Sequence, residues 1–202
     1  MPLLLPTAYL PPINYISECF HTDSIIIEVC ETYPKQTFRN HCLVYGPNGI
    51  QQLTIPVNKV NGNHTMTRDI RISYFQDWQK VHWRSIETAY NNSPFFLYYK
   101  DYFEPYFIKR YDFLVDFNSR LLETIFIILR MEKEVELTEE YLSEPLLTID
   151  LRQEFFMKKT VAMEHPTIRY TQVFEERHGF LPNLSVIDLI FNLGPEAGTA
   201  VV

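Results

Sequence analysis

The sequence predicts an α+β fold in which an N-terminal mixed β-sheet containing a β-hairpin is covered by a helical C-terminal half. Short runs of β-branched residues fill the first third of the chain, and the turn sequence Gly46-Pro47-Asn48-Gly49 separates two of them. Further along, apolar residues recur at helical spacing, most regularly from Phe113 to Met131. The chain has 202 residues, 46% of them hydrophobic, which is enough for one core. We therefore predict a single domain over residues 1–202.

The N-terminal elements follow from local patterns. A short helix is predicted to end at Phe20, because the apolar residues after Pro11-Pro12 recur at helical spacing. Ser24 to Val29 reads as a buried strand. Phe38 to Tyr45 and Ile50 to Val57 are predicted to pair across Asn48-Gly49, because Asn and Gly tolerate the positive φ that this turn requires.

The later elements are predicted mainly as helices. Asp77 is expected to cap a helix that runs to about Asn91, where Asn-Asn-Ser-Pro ends it. The remaining predictions are helices over Phe95 to Tyr106 and Phe113 to Met131, a solvated acidic connection over Glu132 to Glu144, strands over Leu146 to Leu151 and Tyr170 to Phe174, and a last helix that stops at Asn192-Leu193-Gly194.

Charge, cysteine content and hydropathy exclude several classes of protein. A net charge of −7 argues against a general nucleic-acid-binding protein. The three cysteines lack CxxC spacing, so we expect buried free thiols and no zinc site or disulfide framework. No apolar run approaches the ~20 residues needed to cross a bilayer, and Met1 to Leu5 is too short for a signal peptide. We therefore expect a cytoplasmic protein without a membrane span.

Positive charge is concentrated between Tyr33 and Arg84. This segment contains seven basic and two acidic residues, so its net charge is +5 and the rest of the chain carries a net charge of −12. One interpretation is a concave patch that binds a small anion such as phosphate, with Arg39 and Arg71 among its residues. The other is that these cations pair with carboxylates of the C-terminal half.

The stretch from Glu31 to Val57 also carries a resemblance to a known family. Its motifs are Tyr33-x-Lys35-Gln36-Thr37-x-Arg39-Asn40, Gly46-Pro47-Asn48-Gly49, Leu53-x-Ile55-Pro56-Val57 and Trp78-x4-Trp83-x2-Ile86-Glu87-x2-Tyr90, all in the expected order. With these motifs the chain resembles the WbqC-like family of bacterial proteins from about Tyr9 to the C-terminus. The resemblance implies a role in surface polysaccharide and O-antigen synthesis, with transfer of an acyl or aminoacyl group to an activated, nucleotide-linked sugar. It supplies no catalytic residues.

The candidate site residues come from this polar run and from the Trp/His-rich helix after it. Strand alternation would place Lys35, Thr37, Arg39 and His41 on one face, where an arginine could grip an anion through two hydrogen bonds. The predicted ligand-binding residues are Lys35, Gln36, Arg39, Asn40, Arg71, Trp78, Trp83, Glu87 and Tyr90. The alternative is a structural Arg39 bonded to backbone carbonyls or to Glu28.

His82 is the predicted catalytic base. Histidine suits proton transfer near neutral pH, and the neighbouring Trp78 and Trp83 would give it a partly apolar pocket. The alternative is a packed histidine with one ordinary hydrogen bond. The aromatic run from Phe95 to Phe113 is interpreted as core, with one or two tyrosines that could reach the site.

No familiar reaction motif is present: the chain lacks G-x-x-x-x-G-K-[ST], G-x-G-x-x-G, G-x-S-x-G and H-E-x-x-H. The sequence therefore leaves two functions open. One is an acyl or aminoacyl transferase of a polysaccharide pathway that acts on a nucleotide-sugar or acyl thioester. The other is a non-catalytic ligand-binding or assembly protein of the same pathway. Neither a cofactor nor an oligomeric state can be inferred, and no metal ligands are predicted.

Overall fold

The computed structural model describes residues 1–145, 147–156 and 168–201. Its class is α+β, as predicted. The strands are β1 Leu3–Pro6, β2 Ser24–Glu28, β3 His41–Gly46, β4 Gly49–Thr54, β5 Val57–Asn58, β6 Arg71–Ile72, β7 Glu134–Leu137 and β8 Ile149–Asp150. The α-helices are α1 Ile13–Phe20, α2 Trp78–Tyr90, α3 Phe96–Phe103, α4 Leu114–Leu129, α5 Glu175–His178, α6 Val186–Leu193 and α7 Ala197–Ala200.

A four-stranded parallel sheet in the order β7-β2-β1-β8 forms the centre of the fold. Helix α1 connects β1 to β2, because two parallel neighbours need a crossover between them. The central strand β1 is buried along its whole length, whereas the edge strands β7 and β8 are exposed. Strand β1 was not predicted, because its only signal in the sequence is a four-residue apolar run.

The predicted hairpin is confirmed, but its strands begin at His41 and end at Thr54, inside the predicted limits of Phe38 and Val57, and its turn differs. Strands β3 and β4 pair antiparallel from His41↔Thr54 to Gly46↔Gly49. The loop residues are therefore Pro47 and Asn48, and Gly49 alone has positive φ, at 99°. Proline cannot adopt positive φ, so Pro47 excludes the primed turn that Asn-Gly sequences usually form.

The predicted long helices are also confirmed. Helix α4 buries the apolar side that its periodicity indicated, and it ends where Arg130 adopts a left-handed φ of 56°. Asp77 precedes α2 as expected, but its side chain makes no capping hydrogen bond. In the aromatic helix α3, Phe96 and Phe103 pack on the ring of Phe191 with centroids 5.1 and 5.6 Å apart. This contact confirms the core role of those rings.

Three predictions in the C-terminal half need correction. The acidic segment Glu132 to Glu144 contains β7, so it is an edge strand with exposed glutamates as well as a connection. Tyr170 to Phe174 is not a strand, because Gln172 bonds the backbone of Leu181 through its side chain and the chain turns there. The strand predicted for Leu146 to Leu151 is present only as β8, and Leu146 lies outside the described residues.

Within the described ranges, no helix is both long enough and apolar enough to span a bilayer. The division of the chain into one domain stays a prediction.

Candidate functional site

The carboxyl ends of the parallel strands bring polar residues together at one edge of the sheet. Thr7 follows β1, Glu28 ends β2, Thr138 follows β7, and Asp150 ends β8. Parallel strands point the same way, so their carboxyl ends share an edge, and α/β proteins commonly bind ligands there. We call this region the carboxyl edge.

Glu28 holds the strand ends of the carboxyl edge together through its side chain. Its buried carboxylate accepts hydrogen bonds from the Cys30 amide at 2.8 Å, the Thr138 hydroxyl at 2.8 Å and Arg152 Nη1 at 3.1 Å. Arg152 also holds both carboxylate oxygens of Asp150, at 2.9 and 2.7 Å, and this bonding lowers the pKa of Asp150. These contacts link β2, β7 and β8, and they give each of the three guanidinium nitrogens an acceptor.

Arg39 and Glu31 form a second buried ion pair in the loop between β2 and β3. Arg39 is completely buried, with its Nε 2.7 Å and its Nη2 2.5 Å from Glu31 Oε1. Burial raises the pKa of Glu31, and the charge of Arg39 opposes that shift. The third guanidinium nitrogen, Nη1, is buried without a hydrogen-bond acceptor in the part of the chain that the structure describes.

Tyr33 provides a second unpartnered donor. Its hydroxyl is buried and has no hydrogen-bond partner among the described residues. Burial raises the pKa of Tyr33, and Arg39 lies close enough for its charge to act in the opposite direction. Lys59 Nζ lies 5.1 Å from the centre of the Tyr33 ring. An unsatisfied buried polar group costs about 1–3 kcal/mol, so two unpartnered donors in one cluster indicate a place for an acceptor.

A cavity of about 160 Å³ opens between α4 and the sheet. Its walls are mostly apolar, with Ile27 of β2, Leu122 of α4, and Val135 and Leu137 of β7. Thr7 and Asn118 also line it. Asn118 joins the cavity to the Arg39 loop, because its Nδ2 donates to the Arg39 carbonyl at 2.8 Å and to the Thr7 hydroxyl at 3.1 Å. The cavity therefore adjoins the loop that carries the two unpartnered donors.

Comparison with known proteins assigns the family. The model of the WbqC-like protein family matches residues 7–156. The chain belongs to the WbqC-like family. Every residue of the carboxyl edge described above lies within the matched range.

The WbqC-like chain is also similar to Uncharacterized protein Rv1507c of Mycobacterium tuberculosis (strain ATCC 25618 / H37Rv). The two are 26% identical over 96% of this chain and 94% of the relative. No solved structure matches the chain.

The structure separates the polar residues that the sequence grouped in this WbqC-like chain. Lys35, Thr37, Arg39 and His41 were predicted to share one face of a strand. This prediction is wrong, because residues 35–40 form bends and turns and not a strand. Lys35 and Gln36 are exposed, and Gln36 has a left-handed φ of 57°. Arg39 is buried against Glu31, not against Glu28 or backbone carbonyls. Asn40 is buried with its Nδ2 bonded to the Ile55 carbonyl at 2.8 Å.

The positive charges of this segment do not share one environment. Arg71 is exposed and stacks over the Phe113 ring at 4.6 Å, and Arg68 donates to the Glu139 carbonyl at 3.4 Å. Arg39, one of the residues expected in an anion-binding patch, has no exposed surface. An anion would therefore meet Arg39 only by entering the protein.

His82 lies in the core of the WbqC-like fold. Its Nδ1 is 2.9 Å from the Tyr9 hydroxyl, and its ring also bonds the Thr54 backbone. Burial lowers the pKa of His82 to about 4, and the Thr54 bond opposes this shift, so the imidazole is neutral at neutral pH. His82 does not line the cavity. A general base must reach the proton that it removes, so this placement gives the predicted catalytic role no support.

The other predicted residues of α2 divide between core and solvent. Trp78 packs on His82 with centroids 5.1 Å apart, and Trp83 stacks on Phe107 at 5.4 Å. The Tyr90 hydroxyl accepts a hydrogen bond from the Tyr45 amide, and Glu87 is exposed. These four residues are not gathered around the cavity or around Arg39.

The three cysteines are free and buried, as expected. Burial raises the pKa of Cys19 and of Cys42, which disfavours a thiolate at either position. Cys30 donates its thiol to the Thr138 carbonyl at 3.3 Å. Among the described residues, no group of three or more His, Cys, Asp or Glu side chains is arranged to hold a metal ion.

Sequence reasoning missed Thr7, Glu31, Tyr33 and Asn118 as site residues. Tyr33 belongs to the family motif, and Glu31 opens the polar stretch, so both had a local signal. Thr7 and Asn118 had none, because they are 111 positions apart and meet only in the folded chain.

Proposed function

We propose that this protein binds a small ligand at the carboxyl edge through an oxygen-rich acceptor group, a carboxylate or a phosphate. The observation that carries the proposal is the pair of buried donors without acceptors, Arg39 Nη1 and the Tyr33 hydroxyl. Both lie in the Tyr33-to-Asn40 motif. An acceptor that enters this loop would satisfy both donors, one of them through a charge-assisted hydrogen bond.

The charges around the two donors favour an anionic group. Glu31 neutralises Arg39, and Lys59 adds a positive charge beside the Tyr33 ring. An anion would therefore meet a net positive local field in a region of low dielectric, where electrostatic attraction is stronger than in water.

The pathway is part of the same proposal. We propose a cytoplasmic protein of surface polysaccharide synthesis that transfers an acyl or aminoacyl group to a nucleotide-linked sugar. Its support is the resemblance to the WbqC-like family, together with an acceptor site suited to the carboxylate or phosphate of such substrates.

A second candidate function is a non-catalytic ligand-binding or assembly protein of the same pathway. The placement of His82 favours it, because the predicted base is enclosed by Tyr9 and the Thr54 backbone. One measurement distinguishes the two functions. A transferase incubated with both substrates yields an acylated sugar detectable by mass spectrometry, and a binding protein leaves both substrates unchanged.

The first experiment is a thermal-shift panel of nucleotide-sugars, acyl thioesters and amino acids. A ligand present at ~100 times its dissociation constant adds about 2.7 kcal/mol to the free energy of unfolding. The ligands that raise the melting temperature are then tested on Tyr33→Phe.

Tyr33→Phe should weaken ligand binding without lowering stability. The substitution removes a buried hydroxyl that has no partner, so the free energy of unfolding should stay constant or rise by about 1 kcal/mol. The loss of one donor to an anionic acceptor should cost about 1.5–3 kcal/mol of binding free energy. Urea unfolding and isothermal titration measure the two quantities. Tyr98→Phe, at a residue 73% exposed, is the matched control and should change neither. If Tyr33→Phe binds the ligand with unchanged affinity, the proposed acceptor site is wrong.

Arg39→Ala is the wrong variant for this test. An arginine on an exposed anion-binding patch could be replaced without loss of stability, but Arg39 is the buried partner of Glu31. Removal of one partner of a buried ion pair typically costs about 3–5 kcal/mol. Weaker binding by Arg39→Ala would therefore not distinguish a lost ligand contact from partial unfolding.

A further inference from the structure

We propose that the cavity between α4 and the sheet binds an aliphatic group that carries a primary ammonium. This proposal does not depend on the acceptor site at Arg39 and Tyr33. It rests on the shape and lining of the cavity and on the side-chain amide of Asn118.

The cavity has the size and the walls for an aliphatic group. Its volume of about 160 Å³ is close to the ~150 Å³ of an engineered apolar cavity that binds benzene. The register of the parallel sheet aligns its walls, because Ile27 and Leu137 are partners across β2 and β7 and therefore face the same way. Val135 and Leu137 are 38% and 46% exposed, so the cavity is open along the edge strand. A branched chain of four to five carbons is roughly what such a space accepts.

Asn118 determines which polar group the ligand carries. Its side chain is 1% exposed and lines the cavity. Its Nδ2 donates to the Arg39 carbonyl, which can only accept, and this bond fixes the orientation of the amide. The other amide atom, Oδ1, is buried and has no donor among the described residues. A ligand that reaches this atom from the cavity therefore has to supply an N–H or O–H donor.

The charge at the cavity favours an ammonium as that donor. Glu123 is the one charged side chain among the described residues that line the cavity. It is partly paired with Arg120, 2.9 Å from its Oε2, at an exposed position. A positively charged donor meets both Asn118 Oδ1 and this carboxylate, whereas a carboxylate ligand would meet an acceptor and a like charge.

The test is a nuclear magnetic resonance titration of the full chain with isopentylammonium and, separately, with isovalerate. The two probes have similar branched chains and differ in the polar group. Isopentylammonium should give saturable shifts in the methyl signals of Ile27, Leu122 and Leu137 and in the side-chain amide of Asn118. The side-chain amide of Asn40, which is bonded to Ile55, should not move. Isovalerate should give none of these shifts.

Two matched variants locate the binding. Val135→Trp should fill the cavity and abolish the shifts. Ile149→Trp places the same side chain on the opposite edge strand, at a residue 43% exposed, and should leave them unchanged. Three results would each overturn the proposal. They are equal binding of isovalerate, no saturable shifts with isopentylammonium, and retained binding of isopentylammonium by Val135→Trp. Tyr33→Phe should bind isopentylammonium normally, so failure at the acceptor site and failure at the cavity give different results.

Discussion

Asp188 shows how a single buried carboxylate can be held by neutral partners. It lies on α6 without exposed surface, and its Oδ2 accepts hydrogen bonds from the Tyr170 hydroxyl at 2.5 Å and from Gln172 Nε2 at 3.1 Å. The Tyr90 hydroxyl is also close enough to favour the charged form and so to lower the pKa of Asp188. Burial raises the pKa of Asp188 to about 6, and these hydrogen bonds oppose the shift. The carboxylate is therefore costly to bury in its charged form.

Stability should depend on the protonation of Asp188. Because the folded-state pKa lies above the unfolded value, protonation favours the folded chain, and this contribution is lost as pH rises from about 4 through about 6. The difference corresponds to about 3 kcal/mol. In Asp188→Asn this part of the pH dependence should disappear, as measured by urea unfolding from pH 4 to pH 7. Asp101→Asn, at an exposed position, should keep the wild-type slope. A wild-type slope in Asp188→Asn would contradict the assignment.

The hairpin shows how one element depends on one backbone conformation. Strands β3 and β4 are in register up to Gly46↔Gly49, so the turn must reverse the chain through Pro47 and Asn48. Gly49 completes it with a φ of 99°, and a side chain at this position would point into open space. Glycine is therefore needed at position 49 for its backbone conformation and not for close packing.

Gly49→Ala should lower the free energy of unfolding by about 1–2 kcal/mol, since an L-residue at positive φ is strained. No steric clash adds to this cost, because no heavy atom outside residues 48–50 lies within 4 Å of the new methyl group. Asn48→Ala changes a neighbouring exposed turn residue without positive φ and should stay within about 0.5 kcal/mol of the wild type. Equilibrium urea denaturation of the three proteins measures both effects. Equal stability of Gly49→Ala and wild type would show that the turn does not require the glycine.

Across the whole molecule, the parallel sheet joins distant parts of the chain. Strands β1 and β2 come from the first 28 residues, and β7 and β8 pair with them from positions beyond 130. The buried pair of Glu28 and Arg152 fastens these parts together at the carboxyl edge. A change at this pair should therefore affect the stability of the entire sheet.

Arg152→Ala should lower the free energy of unfolding by about 3–5 kcal/mol, because it leaves Glu28 buried without its cation. Arg120→Ala breaks an ion pair whose side chains are 65% and 55% exposed, and because solvent screens this pair the free energy of unfolding should stay close to that of the wild type. Chemical denaturation monitored by circular dichroism compares the two. Similar losses in both variants would show that the Glu28 pair does not hold the sheet together.

Local patterns in the sequence were enough to predict the separate elements of this protein. The periodicity of Phe113 to Met131 predicted α4, and the β-branched run after Ser24 predicted β2. Turn residues marked the hairpin, and the family motifs marked the segment around Arg39. Each of these signals is confined to a few neighbouring residues, so it can be read without knowing the fold.

Which of these elements meet, and which polar groups are paired, became visible only in the folded chain. The sequence could not show that Arg39 is buried against Glu31, or that Asn118 lies beside Thr7 from across the fold. Nor could it show that the ring of His82 is enclosed by Tyr9. A polar side chain has the same local pattern whether it faces solvent, a ligand or a buried partner. Its environment is set by chain packing, and packing is a property of contacts between segments far apart in sequence.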